Sequence, residues 1–274
     1  MSRASRVALV TGASSGIGRA IAQRLARDGL EVYGTSRKVP SDHPGPSGIH
    51  MLPLDVTSDM SVQACVEGLW ARTGRIDVLV NCAGYLMVGA VEEFAPEEAR
   101  ALFETNFFGV VRMIQAVAPK MRQQRDGAIV NLSSLAGLVP FPFWGYYSAS
   151  KFAVEGLTEA LREELRPFGI RVSAVEPGTI QTALYTAGQK ARSMEAYAPR
   201  RARFEKTMRR FEEKAPGPEV VAERVSRIVH SRSPALRNPI TREARVLPLL
   251  RAWFPRSWFD QGLRATFHLD DEHF

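Results

Sequence analysis

The sequence predicts an α/β protein built on one doubly wound parallel sheet. Three observations point there. Six short apolar runs rich in β-branched residues recur along the chain, helical patterns of apolar residues lie between most of them, and the glycine-rich stretch TGASSGIG sits between the first run and the first helix.

The elements follow in order. RVALVTG reads as a buried strand ending at a glycine. GIGRAIAQRLARDGL carries Ile17, Ile21 and Leu25 at four-residue spacing and stops at Gly29, an amphipathic helix. EVYGTSR is the second strand, and HMLPLDV the third after a Pro/Gly-rich loop. The helix SDMSVQACVEGLWARTG closes at Gly74, and RIDVLVNCAG is the fourth strand. Helical pattern runs from Pro96 to Gln124, GAIVNLSS is the fifth strand, YSASKFAVEGLTEALREEL a helix, and IRVSAVEPG the sixth strand. Such alternation predicts helices on both faces of the sheet and ligands at the carboxyl ends of its strands. Past Thr182 the pattern loosens into a basic segment, a helix PEVVAERVSRIVHS and an irregular tail, with a weak seventh strand near NPITREARVL. One domain spans 1–274, with a C-terminal extension at about 235–274.

Composition narrows the function classes. With 274 residues, 45% hydrophobic and 24% charged, the chain is an ordinary globular one. Cys65 and Cys82 make no disulfide framework, and His43, His50, His230, His268 and His273 are scattered, so no metal centre is expected. The apolar run Val7 to Val10 is too short for a signal peptide, and no run is long enough to span a bilayer. A cytoplasmic location is the expectation. The net charge of +7 concentrates between Lys190 and Arg210, where eight cations face two carboxylates. No nucleic-acid motif accompanies them, so the segment reads as a solvated, mobile basic helix. Nucleic acid and anionic substrate groups are the alternatives.

TGASSGIG has the chemistry of a phosphate loop. Gly12 permits a tight turn, Gly16 lets backbone amides approach a pyrophosphate, and Gly18 allows close packing of the following helix, whose N-terminus favours an anion. The end of the second strand then selects the dinucleotide. An acid there would take the ribose hydroxyls of NAD; instead Ser36 is followed by Arg37 and Lys38, and an arginine fork suits a 2′-phosphate. NADP(H) is therefore expected in preference to NAD(H). Further on, Tyr147 and Lys151 are four apart on one helix face, whereas Tyr146 is five from the lysine.

Taken together, these motifs resemble the short-chain dehydrogenase/reductase family, over roughly Arg6 to Thr182, in its steroid- and retinol-dehydrogenase-like branch. The resemblance implies a Rossmann-type fold and an oxidoreductase exchanging hydride between nicotinamide and a carbonyl or alcohol. Its catalytic set falls on Asn106, Ser134, Tyr147 and Lys151. Its cofactor contacts fall on Gly12, Ser14, Ser15, Gly16, Ile17, Gly18, Ser36, Arg37, Asp55, Val56, Asn81, Ala83, Gly84, Tyr147, Lys151, Pro177, Gly178, Ile180 and Thr182. Cys82 and Glu176 stand where the family often has asparagine. In this scheme Tyr147 is the acid/base and Lys151 lowers its pKa from about 10 while holding the nicotinamide ribose. Ser134 supports the developing oxyanion, and Asn106 holds a water that links Lys151 to solvent.

Tyr85, Leu86, Leu135, Phe141, Phe143, Trp144, Leu184 and Tyr185 are candidate pocket walls, which suggests an apolar substrate such as a retinoid, steroid or long-chain carbonyl. The basic segment falls where the family has a mobile lid, here about 183–215, and leaves open an acidic or acyl-thioester 3-oxo substrate. The helix face with Phe152, Gly156, Leu157, Ala160 and Leu161 suits close packing against another helix, and since members of the family often assemble through this helix the resemblance implies a homodimer or homotetramer. The tail VLPLLRAWFPRSWF could pack on the fold, cover another subunit or touch a membrane. Its two prolines argue against one long amphipathic helix, which ranks membrane contact last. Rivals of another class are an NADP-binding regulator without turnover, opposed by the intact catalytic set, and a nucleic-acid binder.

Overall fold

Val7, Ala8, Leu9 and Val10 form strand β1 (Val7–Val10), and all four side chains are buried. A strand buried on both faces needs strands at each edge and helices above and below. The computed structural model describes residues 5–39, 48–185, 187–192 and 194–270. After β1 come α1 (Gly16–Arg27), β2 (Glu31–Ser36), β3 (Ile49–Pro53), α2 (Asp59–Thr73), β4 (Val78–Asn81) and the short β5 (Met87–Val88). Next are α3 (Pro96–Phe103), α4 (Gly109–Gln124), β6 (Gly127–Leu132), α5 (Gly145–Leu165) and β7 (Ile170–Glu176). Last are β8 (Gln189–Lys190), α6 (Ala198–Glu213), α7 (Glu219–His230), β9 (Arg237–Pro239), α8 (Arg242–Trp253) and α9 (Arg256–Phe267).

Seven strands pair in the order β3-β2-β1-β4-β6-β7-β9, every pair parallel. The order reverses between β1 and β4, and such a switch point opens a crevice at the strands' carboxyl ends. The period of two along β1 divides the core. Val7 and Leu9 pack with Val66 and Leu69 of α2, Met113 and Val117 of α4, and Val154 of α5. Ala8 and Val10 pack on the other face with Ile21 and Leu25 of α1 and Val221 and Val225 of α7. Each such buried aliphatic contributes about 1.5–3 kcal/mol, so both helix layers are held to the sheet by transfer from water.

Local chemistry sets the helix ends that matter. Ser58 Oγ accepts from the Ser61 amide to start α2, and Gly74, at φ 66°, ends it. The pattern from Pro96 to Gln124 is one sequence feature but two helices. A π turn at Glu104–Phe108 joins α3 to α4 and places Asn106 in the interior.

Two expectations are corrected past Thr182. The seventh strand is only Arg237–Pro239, because the ITREARVL that follows it enters α8 from Thr241. The tail is not irregular: Pro255 divides it into two helices of 12 residues, and Pro248 lies inside the first. A two-stranded parallel pair, β5 with β8, also pins the segment after Thr182 near the strand ends. Among the described residues no helix is long and apolar enough to cross a membrane, and no cluster of ligating side chains suits a metal.

Candidate active site

The loop after β1 is packed too closely for side chains. Gly12 has φ +67°, and a Cβ on it would lie 3.0 Å from Ala83 Cα. A Cβ on Gly18 would lie 2.2 Å from the Gly12 carbonyl oxygen, so α1 starts against the turn itself. Thr11, which sequence reasoning missed, ties this loop to the end of β4: its Oγ1 accepts from the Cys82 and Ala83 amides at 2.9 and 3.0 Å. Ser15 makes no side-chain cap, and the first turn of α1 holds no acid. The amides at this helix start and its positive dipole end are therefore available to an anion.

A cavity of about 1010 Å³ runs over that loop. It is lined by Gly12, Ser14, Ser15, Gly16, Ile17 and Gly18, then by Ser36 and Arg37 at the end of β2, and Asp55 and Val56 after β3. Ala83, Gly84, Tyr147, Lys151, Pro177 and Thr182 complete the part named from sequence. The Asp55 carboxyl is held below its usual range by the Thr57 amide and hydroxyl, which donate at 2.9 and 2.8 Å. Arg37 is exposed at the rim, and no acid ends β2. The size of the groove, its glycine floor and its helix start fit a dinucleotide. Three predicted residues sit elsewhere. Asn81 is buried behind the groove, its Nδ2 donating to Asn131 Oδ1 at 2.9 Å, and Asn131 in turn donates to Thr158. Gly178 and Ile180 line a second cavity.

The start of α5 separates the two tyrosines. Tyr146 points toward Phe94, ring centroids 6.2 Å apart. Tyr147 is buried one helical turn from Lys151, whose Nζ lies 5.8 Å from the Tyr147 ring centroid and donates to the Leu132 carbonyl at 2.7 Å. Ser134, in extended backbone after β6, hydrogen-bonds Tyr147, and its Oγ accepts from the Ala136 amide at 3.1 Å. Ser133 turns the other way, toward Gly137 and Glu155 on α5. Asn106 Oδ1 accepts from the Tyr85 amide at 3.0 Å while Nδ2 donates to the Tyr85 carbonyl at 2.9 Å and to Ser150 Oγ at 3.3 Å. Asn106 thus fixes the chain after Gly84 and makes no direct hydrogen bond to Lys151.

The electrostatics correct one sequence expectation. Among the chain's own groups, burial outweighs attraction: the Tyr147 phenol is pushed up to about 12, with the Ser134 hydrogen bond opposing the rise. Burial also pushes Lys151 down to about 8. The lowering of the Tyr147 phenol expected from Lys151 is outweighed by that burial, which also makes the ammonium costly to keep. The Cys82 thiol is pushed up to about 12 by burial and stays neutral.

Sequence reasoning also missed an acid pair beneath the site. Glu176 of β7 is fully buried; burial first, then Glu155 of α5, raises it to about 8. Its Oε2 accepts from the Asn238 amide at 2.6 Å. Glu155 is raised mainly by burial, with Arg237 beside it at 3.4 Å. A glutamate that departs from the pattern of the resembled family was the signal, and its burial gives that signal its meaning.

The second cavity, about 520 Å³, opens from the other side of Tyr147. Leu86, Phe141, Trp144, Leu184, Tyr185 and Leu135 line it, as the sequence suggests. Trp144 meets Tyr147 edge-on at 6.0 Å and tilts against Tyr185 at 5.5 Å. Two predicted wall residues sit elsewhere: Tyr85 faces the dinucleotide groove, and Phe143 packs on Phe204 behind the wall. The resemblance implies a lid at about 183–215, but not the side chains that form the roof or the share the tail takes in it. Met208 and Phe211 of α6, Leu250 of α8, Phe254 of the connecting turn, and Trp258 and Phe267 of α9 close the chamber. The basic segment is the back of that roof. Its Arg201 donates to both oxygens of buried Glu93 at 2.5 and 2.6 Å, while Phe204 turns inward against Phe267.

Comparison with known proteins agrees with this arrangement. Residues 6–193 match the family model for short chain dehydrogenases. The chain is 40% identical over 267 residues to a 3-ketodihydrosphingosine reductase of Bacteroides thetaiotaomicron, covering 96% of this chain and 98% of that one. It is 37% identical to 17-beta-hydroxysteroid dehydrogenase type 1 of Mus musculus, covering 89% and 76%. Among solved structures, a short-chain dehydrogenase from Streptomyces avermitilis superposes with a TM-score of 0.83 at 34% identity, over 98% of this chain and 100% of that one. One from Burkholderia phymatum, in complex with NAD, gives 0.79 at 26% identity over 90% and 93%. A metagenomic short-chain oxidoreductase, in complex with NADP, gives 0.68 at 29% identity over 86% and 97%. The chain belongs to the short-chain dehydrogenase family and is an oxidoreductase of alcohol and ketone groups that works with a nicotinamide cofactor.

Proposed function

We propose that the protein is an NADP(H)-dependent reductase of an apolar, long-chain or polycyclic ketone, with Asn106, Ser134, Tyr147 and Lys151 as its catalytic set. One observation carries the reading: Tyr147 lines both cavities, the polar glycine-floored groove on one side and the apolar chamber on the other. A carbonyl lying in the chamber against Tyr147 and Ser134 faces the mouth of the dinucleotide groove.

When bound, the nicotinamide supplies the hydride that reduces the carbonyl carbon, or accepts it in the reverse direction. The remaining work falls to the chain. Ser134 donates a hydrogen bond to the substrate oxygen as charge develops on it. Tyr147 gives that oxygen a proton. Lys151, beside Tyr147 and the groove, orients the ribose and offsets the negative charge left on the phenol. Asn106 fixes the backbone at Tyr85, leaving room for a water between Lys151 and solvent. Arg37 takes the 2′-phosphate that an acid at this place would repel.

The lining also bears on the substrate. Glu243 is the one carboxylate among the residues lining the chamber, its Oε1 accepting from the Thr179 amide at 3.2 Å, and no Lys or Arg lines it. An acidic substrate end would meet repulsion there, which argues against the acidic alternative; a neutral or amine-bearing ketone is accommodated. The resemblance to a 3-ketodihydrosphingosine reductase and a steroid dehydrogenase supports the same class. The outer face of α5 leaves Phe152, Gly156 and Ala160 exposed, with nothing within 4 Å of a Cβ on Gly156, and supports a homo-oligomer through that helix. Leu161 belongs to the core and not to that face. Oxidation of NADPH against long-chain 3-ketones with and without a neighbouring amine, ketosteroids, retinals and 3-oxoacyl thioesters tests the reading. Turnover confined to the thioesters would overturn it.

A further inference from the structure

The roof of the apolar chamber also carries a group of exposed large apolar side chains on its outer surface. Trp253 is 84% exposed, Trp258 65%, Leu249 60% and Phe254 49%, with Val246 and Leu250 partly exposed beside them. They occur together for a local reason. Along α8 the outward stripe runs Arg242, Val246, Leu249 and Trp253, while Ala244 and Leu247 face inward. Pro255 then turns the chain into α9, which buries Phe259 and Phe267 and leaves Trp258 outside. The result is a helical hairpin whose tip is aromatic and solvent-facing. Contiguous exposed apolar surface of this kind marks a binding surface.

Continuity with the chamber says what binds. Leu250, Phe254 and Trp258 line the cavity and are exposed to solvent as well, so the patch is the rim of the chamber. Phe211, at the end of α6, does the same. Cations flank this apolar rim: Arg210 and Lys214 beside Phe211, and Arg242 and Arg245 at the start of α8, are exposed and have no carboxylate partner among the described residues. Exposed tryptophans with arginines beside an apolar tip suit a bilayer interface, where the rings sit at headgroup depth and the cations meet anionic lipid.

We propose that the α8–α9 hairpin docks on the surface of an anionic bilayer, so that the chamber opens toward the lipid phase and takes up an apolar substrate from it. The proposal rests on the reading of the substrate as apolar, but its test does not. The sequence ranks membrane contact last because two prolines break the tail; the structure shows that a broken tail builds the tip.

Sedimentation of the purified protein with vesicles of phosphatidylcholine containing 30 mol% phosphatidylglycerol (about a third of the headgroups anionic) tests it, without cofactor or substrate. Leu249→Glu combined with Trp253→Glu serves as the surface variant, since neither residue lines the chamber. The expected results are co-sedimentation of the wild-type protein with a blue shift of tryptophan emission, and a fall of about tenfold or more in the variant's bound fraction. The variant should keep the wild-type rate on a dispersed substrate. No co-sedimentation, equal binding to pure phosphatidylcholine, or equal binding by the variant would overturn the proposal. So would a wild-type dimer that the variant converts to monomer without any vesicle binding, which would make the patch a contact between two copies.

Discussion

At Tyr147 the phenol is held by Ser134, edged by Trp144 and faced by Lys151, whereas Tyr146 one position earlier packs on Phe94. Tyr146→Phe should therefore leave kcat nearly unchanged. Burial pushes the Lys151 ammonium down to about 8. The ammonium's support for cofactor and phenolate is present below that pH, so kcat/KM for the cofactor should fall above about 8. A profile flat through pH 9 would contradict the account. Glu176 makes a second pH prediction, on stability. Its folded pKa is raised from 4.5 to about 8, so the native state carries no penalty below 4.5 and loses stability as pH rises toward 8. Glu176→Gln, which can still accept from Asn238, should gain on the wild type by about 3 kcal/mol between pH 5 and 8 in denaturant unfolding. Parallel stability curves would show that Glu176 ionises freely. The Tyr147–Lys151 spacing could be read from sequence because a helix fixes which side chains share a face. The direction of the pKa shifts could not, because desolvation depends on what α6 and α9 bring over the site.

In the proposed reading, cofactor binding turns on the start of α1. Gly18→Ala would drive a methyl into the Gly12 carbonyl at 2.2 Å. The helix start would have to withdraw, so NADPH affinity should drop at least about tenfold while the sheet stays folded; unchanged binding by fluorescence titration would refute the close-packing argument. At the end of β2, Arg37→Asp should move the NADPH-to-NADH ratio of kcat/KM toward NADH by about tenfold to a hundredfold, since it replaces a phosphate grip with a repulsive carboxylate. Most elements were legible because their apolar period matches their burial. The exceptions have physical causes. The π turn around Asn106 leaves the apolar pattern unbroken, and the helices α8 and α9 carry apolar side chains both inward and outward, which hides their amphipathic period.

On the scale of the whole molecule, the parallel sheet puts the loop after β1, the ends of β4 and β6, and the start of α5 at one end of the switch point between β1 and β4. The chain after Thr182 then folds over that end and roofs an apolar chamber against Tyr147. The proposed catalytic frame is thus placed by the first 182 residues and the chamber is closed by the rest. That division explains why the frame was readable and, of the roof, only the place of its first part: the frame is local spacing within single elements, whereas the roof is long-range packing of α6, α8 and α9. The central claim is that Tyr147 transfers the proton to a ketone held in that chamber. The most direct measurement is NADPH oxidation by wild-type protein and Tyr147→Phe against a long-chain 3-ketone, with NADPH binding followed in both. The account predicts turnover by the wild type, a loss of about a hundredfold to ten-thousandfold in kcat for the variant, and NADPH affinity within a few-fold of wild type. Equal turnover by both proteins would contradict it.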